Sequence, residues 1–302
     1  MGRRIGQARG GGIAGATKGI LCILGAGAIF SFTDAVAKVL LADYPAGQVI
    51  FLRGAFVLLV TVVAIRWQGG WAEVRIVDWP RQIARGVNIG CTGVCFMLAL
   101  KHVPLADMTA IVFLSPLILT ALAPYFLGER VGWRRWTAVA IGFSGMLLIV
   151  RPSAGAPLWP LLLAACVPFL TAIRDVLTRK LGRTDSATGM VLISTSFTVA
   201  VGAAMLPLGW ETPDARGLLL FALTGCLQGV AQFLTVYAFV YGEAVVVTPF
   251  RYFMLIWATL YGYLFFAHVP TVETFLGAAI VSASGIYIFF RERRVAAVRQ
   301  AG

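Results

Sequence analysis

The chain has 302 residues, 59% hydrophobic and 13% charged, with a formal net charge of +12. Soluble domains carry roughly a quarter charged residues, so a soluble globule is excluded: there is too little polar surface to cover one. The positive charge would suit nucleic acid, but its placement along the chain assigns it to membrane orientation, and no nucleic-acid partner is expected.

Residues 1–16 form a Gly- and Arg-rich tail that is expected to be disordered. It is basic like the start of a signal peptide, but the apolar run behind it is of full span length and reads as an anchor. Apolar runs follow at 18–41, 47–66, 81–100, 105–127 and 133–150, then at 157–178, 187–208, 217–240, 245–267 and 271–290. About 20 apolar residues cross the ~30 Å hydrocarbon layer as a helix. Each run must be helical, because lipid offers the backbone no hydrogen-bond partner. A basic tail, 291–302, closes the chain, and short turns such as Asp43-Tyr44-Pro45 and Arg151-Pro152-Ser153 join the runs.

The stretch from Leu105 to Val150 has a second copy beginning at Ala244, offset by roughly 140 residues, with Gly145 falling near Gly285. Each copy has a long apolar run, a polar break and a second apolar run. With the N-terminus inside, only Lys101, Arg151 and Arg216 of the Lys and Arg residues flanking the runs fall outside. This positive-inside bias puts both termini in the cytoplasm and requires an even number of spans, in agreement with ten. Some of the basic groups would meet anionic lipid. Five spans per copy is odd, so the second copy enters the membrane inverted, an arrangement characteristic of secondary transporters. The fold expected is an all-α integral membrane protein: ten transmembrane helices as two inverted five-helix repeats, 17–150 and 157–290.

The motifs agree. They are Phe-Leu-Arg at Phe51–Arg53, Ala99-Leu100-Lys101-His102-Val103-Pro104 before the fourth span, and Phe126-Leu127-Gly128-Glu129-Arg130 with Gly145. The second half matches through Ala238-Phe239-Val240-Tyr241-Gly242-Glu243-Ala244. In order and spacing, from Thr17 to Phe290, they resemble the ten-helix EamA family of the drug/metabolite transporter superfamily. His268 stands where that family's second repeat has a Glu. The resemblance implies a permease for small metabolites in a bacterial cytoplasmic (inner) membrane, with amino acids, drugs and vitamins among the substrates of relatives.

Polar groups within the runs are the site candidates, since a charge at mid-membrane costs roughly 2.5–3.5 kcal/mol. Asp34 and Lys38 share a helix face, as do Asp175 and Arg179. Arg53 lies at about the depth of Asp34; Arg251 is within reach of Asp175, and Arg174 adds another inner positive charge. Two clusters are expected, Asp34/Arg53 outside and Asp175/Arg251 inside. They would serve as alternating gates or hold the ends of the substrate, or else be static ion pairs with Lys38 and Arg179 reaching to the interfaces. Asn88, Thr92 and Cys95 form a polar stripe on the third run, and Gln228, Gln232 and Thr235 another on the eighth. These stripes either line a cavity or bond helix to helix. Phe96, Phe233, Tyr237, Tyr252 and Trp257 lie near them, to stack on a substrate ring or to face lipid and core. Pro116, Pro168 and Pro249 each remove a backbone hydrogen bond, giving hinges or static kinks.

An enzyme is disfavoured. Gly142-Phe143-Ser144-Gly145 looks like an intramembrane serine protease motif, but such a serine needs a base, and His102 and His268 both lie at span ends. There is no Walker A sequence, and the five cysteines have no metal-site spacing, so no cofactor and no metal is expected. A one-sided receptor has no use for inverted symmetry. The expected function is secondary transport by alternating access of a small polar metabolite, zwitterionic or anionic, such as an amino acid or vitamin. The alternative is a multidrug or cation exporter of the same superfamily. The partners expected are the substrate and the lipid bilayer; proton coupling or exchange, and monomer or homodimer, stay open.

Overall fold

The computed structural model describes residues 13–68, 70–126, 132–149, 158–182, 184–241 and 244–301. Among them there are helices and no strands. In chain order these are α1 (Ile13–Asp43), α2 (Ala46–Gln68), α3 (Trp79–His102), α4 (Leu105–Val112), α5 (Ser115–Phe126), α6 (Trp133–Ile149) and α7 (Trp159–Leu181). They continue with α8 (Ala187–Ala204), α9 (Ala215–Tyr241), α10 (Ala244–Val247), α11 (Met254–Phe266) and α12 (Val272–Ala301). Eight segments among the described residues are long and apolar enough to cross a membrane; one of them joins α4 and α5. Large apolar side chains are exposed around the bundle, such as Leu147 at 71% and Leu219 at 67%, as suits a surface whose solvent is lipid.

Two expected spans are interrupted. The fourth breaks after Val112: the Phe113 N–H returns to the Thr109 carbonyl at 3.3 Å and the Leu114 N–H to Ile111 at 3.0 Å. Helix resumes at Ser115-Pro116, where a proline without an N–H suits a first turn. The ninth is α10, then a 3-10 stretch Thr248–Phe253 containing Pro249, then α11. Pro168, by contrast, stays within continuous α7. The ends differ as well. Helix α1 begins at Ile13, inside the stretch expected as a tail, and α12 runs on through the expected C-terminal tail to Ala301. Residues 1–12, the Gly128-Glu129 break, the Arg151-Pro152-Ser153 turn and Gly242-Glu243 lie outside the described residues.

Helix α1 packs against α9 and α11, α3 against α7 and α8, and α2 against α8 and α9. Helix α5 also packs on α7, α4 on α11, and α6 along α12. The last pair approaches through glycine. A Cβ on Gly145 would lie 2.9 Å from the Gly277 carbonyl oxygen, and one on Gly277 would lie 2.5 Å from that of Gly145. The core is apolar and continuous through α3, α4 and α5, with Leu100, Leu105, Met108, Ile111, Leu114 and Leu117 fully buried.

Each end of the bundle carries a strap. At the end bearing the α1–α2 turn, the Gln48 amide donates to the Glu211 carbonyl at 2.6 Å and accepts from the Glu211 N–H at 2.9 Å. Tyr44 donates to Asp214 at 3.1 Å beside it. At the opposite end, Asp185 accepts from Gln82 at 2.7 Å, from Thr184 at 2.8 Å, and from the backbone N–H groups of Val77 and Asp78. Burial alone would raise this carboxyl, but those four hydrogen bonds outweigh it and hold the group below its ordinary value of 3.8.

Candidate functional site

The charged groups gather at two levels. At the end bearing the α1–α2 turn, Arg53 of α2 is 3% exposed and its Nη2 donates to Asp34 of α1 at 2.9 Å and to the Thr33 hydroxyl at 3.1 Å. One turn further along α1, Lys38 donates to the Val103 carbonyl at the α3–α4 junction and sits 5.6 Å from the Phe266 ring centre. Asp107, in the first turn of α4, lies beside Lys38, His268 and Thr274. Four stretches of chain, α1, α2, the α3–α4 junction and the α11–α12 turn, are thereby drawn together by buried or half-buried charge.

The opposite level is built differently. Asp175 of α7 pairs with its neighbour Arg174 at 2.9–3.0 Å, and both side chains are about a third exposed, at 36% and 34%. The expected Asp175/Arg251 pair is therefore not formed. Arg251 lies in the 3-10 stretch within the field of Asp175 and Arg174, and is exposed. Arg174 wins because it is adjacent in the chain and folds back at little ordering cost, whereas Arg251 belongs to a separate segment. Arg85 of α3 joins this group: it donates to Thr178 at 2.8 Å, to the Met190 carbonyl at 3.0 Å and to Ser194. Arg179 lies on the exposed side of α7.

The uncharged candidates spread over three helices. The stripes lie on α3, which packs on α7 and α8, and on α9, which packs on α1 and α2. The Thr92 hydroxyl donates to the Asn88 carbonyl at 2.7 Å, so it is spent within its own helix, and Thr235 likewise donates to Ala231 at 2.9 Å. The Asn88 Oδ1 is buried without a partner among the described residues. Gln228 and Gln232 are half-buried on α9, and Phe96 packs against the apolar core. Tyr237 is 39% exposed and stacks on Tyr241 at the far end of α9. Tyr252 lies 4.9 Å from Phe113, at the break between α4 and α5. Trp257 stacks on Tyr261 at 6.2 Å, and its indole N–H is buried without an acceptor among the described residues.

Sequence reasoning missed Asp107, His268 and Arg85 as members of these groups. Asp107 is the third residue after Pro104, a place where an acid reads as first-turn helix chemistry. Arg85 was counted with the flanking basic residues, although it stands one turn before Asn88 on the same face of α3.

A family model described as the EamA-like transporter family matches residues 17–151. A riboflavin transporter of Rhizobium johnstonii is 30% identical over 282 residues, 92% of this chain and 93% of its own. An S-adenosylmethionine uptake transporter of Rickettsia bellii is 27% identical over 214 residues, 70% of this chain and 73% of its own. The pseudopaline exporter CntI of Pseudomonas aeruginosa is 28% identical over 273 residues. A solved crystal structure superposes with a TM-score of 0.62 at 18% identity, covering 92% of this chain and 99% of its own, which supports the fold. On this similarity the chain belongs to the EamA-like transporter family, a multi-pass bacterial membrane protein that acts as a small-metabolite permease and not as an enzyme.

Proposed function

We propose that two inverted five-helix halves, 17–150 and 157–290, carry a polar metabolite across the membrane by alternating access, with both termini cytoplasmic. The observation that carries this is the packing pattern. Exchanging the halves turns the α1 contact with α9 into the α7 contact with α3, α2 with α9 into α8 with α3, and α1 with α11 into α7 with the α4–α5 span. Helix α2 with α8, α6 with α12, and α4 with α11 map onto themselves. The two straps exchange in the same way, with the α1–α2 turn answering the α7–α8 connection. Ten crossings follow when α6, at 17 residues, and the broken α10–α11 segment join the eight long spans.

Arg53 and Asp34 have side chains 4% and 15% exposed against 34% and 36% for Arg174 and Asp175, which supports a conformation closed at the first level and open at the second, where guanidinium groups outnumber the carboxylate. Such a site favours a substrate with a carboxylate or other anionic group, or a zwitterion, held at the mid-membrane near Asn88, Gln228 and Trp257. Its relatives point to vitamins and amino-acid derivatives. The test is flux into proteoliposomes, with riboflavin, S-adenosylmethionine and amino acids as probes, for the wild type and for Asp34→Asn and Asp175→Asn. Loss of flux in both variants at normal expression supports alternating gates, and unchanged flux rejects them. Thermal stabilisation by quaternary cations alone would overturn the anionic assignment.

A further inference from the structure

Asp34, Asp107 and Asp175 stand within the spans near other charged groups, and their surroundings differ. Asp34 accepts from Arg53, and Asp175 accepts twice from Arg174. Asp107 has an Oδ1 buried with no donor among the described residues. Lys38 is near, but forms no ion pair with it; its ammonium is held by the Val103 carbonyl and the Phe266 ring. A carboxylate oxygen shut from water without a donor is costly, and the cost is relieved when the group is neutral. Lys38 meanwhile keeps its own anchors whether or not Asp107 is charged.

We propose that Asp107 is a proton-binding site, carrying a proton while the end bearing the α1–α2 turn is closed and losing it when that end opens. On closure, a proton from water at that end adds to a carboxylate oxygen to give the neutral acid. On opening, the acid is hydrated and returns the proton to water. The inference rests on the reading that the two ends open alternately. The charged groups acting on Asp107 are Lys38 from α1 and His268 from the α11–α12 turn, and the Thr274 hydroxyl from α12 hydrogen-bonds the carboxylate, leaving Oδ1 without a donor among the described residues. Lys101 and His102, at the end of α3, are exposed. Both near groups are cationic or able to become so and favour the charged carboxylate, so it is the burial of Oδ1 that favours the neutral acid. Asp107, Lys38 and His268 are distant in the chain and meet only where α1, α4 and the α11–α12 turn converge.

The test uses the full chain in nanodiscs and the proton as its own probe. Spin labels are placed at Ala42→Cys and Val269→Cys, both exposed at this end, with Cys22, Cys91, Cys95, Cys166 and Cys226 replaced by serine. Their distance distribution is recorded from acid to alkaline pH, with proton uptake followed by an indicator dye. The closed population should grow as pH falls, with uptake of a proton. Asp107→Asn, a mimic of the neutral acid, should stay closed at every pH and lose the uptake, and Asp107→Glu should restore both. The proposal is overturned if Asp107→Asn keeps the wild-type pH dependence. It is equally overturned if His268→Gln alone abolishes that dependence, or if the wild type shows neither response. No transported substrate enters the experiment, so its failure is distinct from failure of the flux assay.

Discussion

A single buried guanidinium shows how much one residue can decide. Arg53 keeps Nε and Nη1 buried without partners among the described residues, while Nη2 holds Asp34 and Thr33. Removing the carboxylate would leave that charge uncompensated, so Asp34→Asn should lower stability by about 3–5 kcal/mol, the cost of breaking a buried pair. Replacing both partners with apolar residues should recover much of the loss. Chemical unfolding in detergent checks the pair, and equal losses in the single and double variants would show that the interaction does not carry stability. Asp185 gives a pH prediction. Its folded value lies below the ordinary 3.8, so its contribution is fully present above 3.8 and is lost as pH falls through the lower folded value. Asp185→Asn should cost about 1–3 kcal/mol at neutral pH, as four donors lose a charged acceptor. It should also flatten the acid limb of the stability curve; an unchanged limb would mean that other carboxylates produce it.

Between helices, close approach is set by glycine. The α6–α12 pair meets where Gly145 and Gly277 face each other, and a side chain on either would meet the other's backbone carbonyl as well as an isoleucine, Ile280 or Ile149. Gly277→Leu is expected to destabilise by about 1–3 kcal/mol or more through overpacking. Gly93 has nothing within 4 Å of its would-be Cβ, so Gly93→Ala should be neutral or stabilising by up to about 1 kcal/mol, as helix propensity dictates. Thermal shifts of the two variants decide this, and equal effects would refute the packing argument. The breaks in the fourth and ninth spans belong to this scale too. Pro116 and Pro249 mark both, whereas Pro168 leaves α7 unbroken, so proline position alone does not identify a break. At the first of the breaks the α pattern ends with the Leu114 N–H, which returns only three residues to Ile111.

Across the whole molecule, the two charged levels are unequal. Ser31, near the Asp34 level, is 1% exposed, whereas Arg251 is exposed. In a cysteine-free background, a membrane-impermeant maleimide applied from the Arg251 side should label Arg251→Cys and leave Ser31→Cys unmodified. The reverse pattern would place the opening at the other end.

Helix content was legible in the sequence because lipid imposes it locally: a backbone that cannot bond to its solvent must bond to itself, over a fixed thickness. Asp34 and Arg53 were legible for a related reason. They sit on consecutive spans at similar depth, and a short turn holds those spans side by side. The Lys38–Asp107–His268 group was not legible, nor was the choice of Arg174 over Arg251 by Asp175. The first forms between segments far apart in the chain, and the second turns on where a remote segment places Arg251; both are settled within a few ångströms by how helices pack. The sequence alone therefore determined that this chain crosses the membrane many times as helices. Tertiary structure alone decided which charges meet and which are buried, because burial and distance are properties of the packed bundle and not of any one helix.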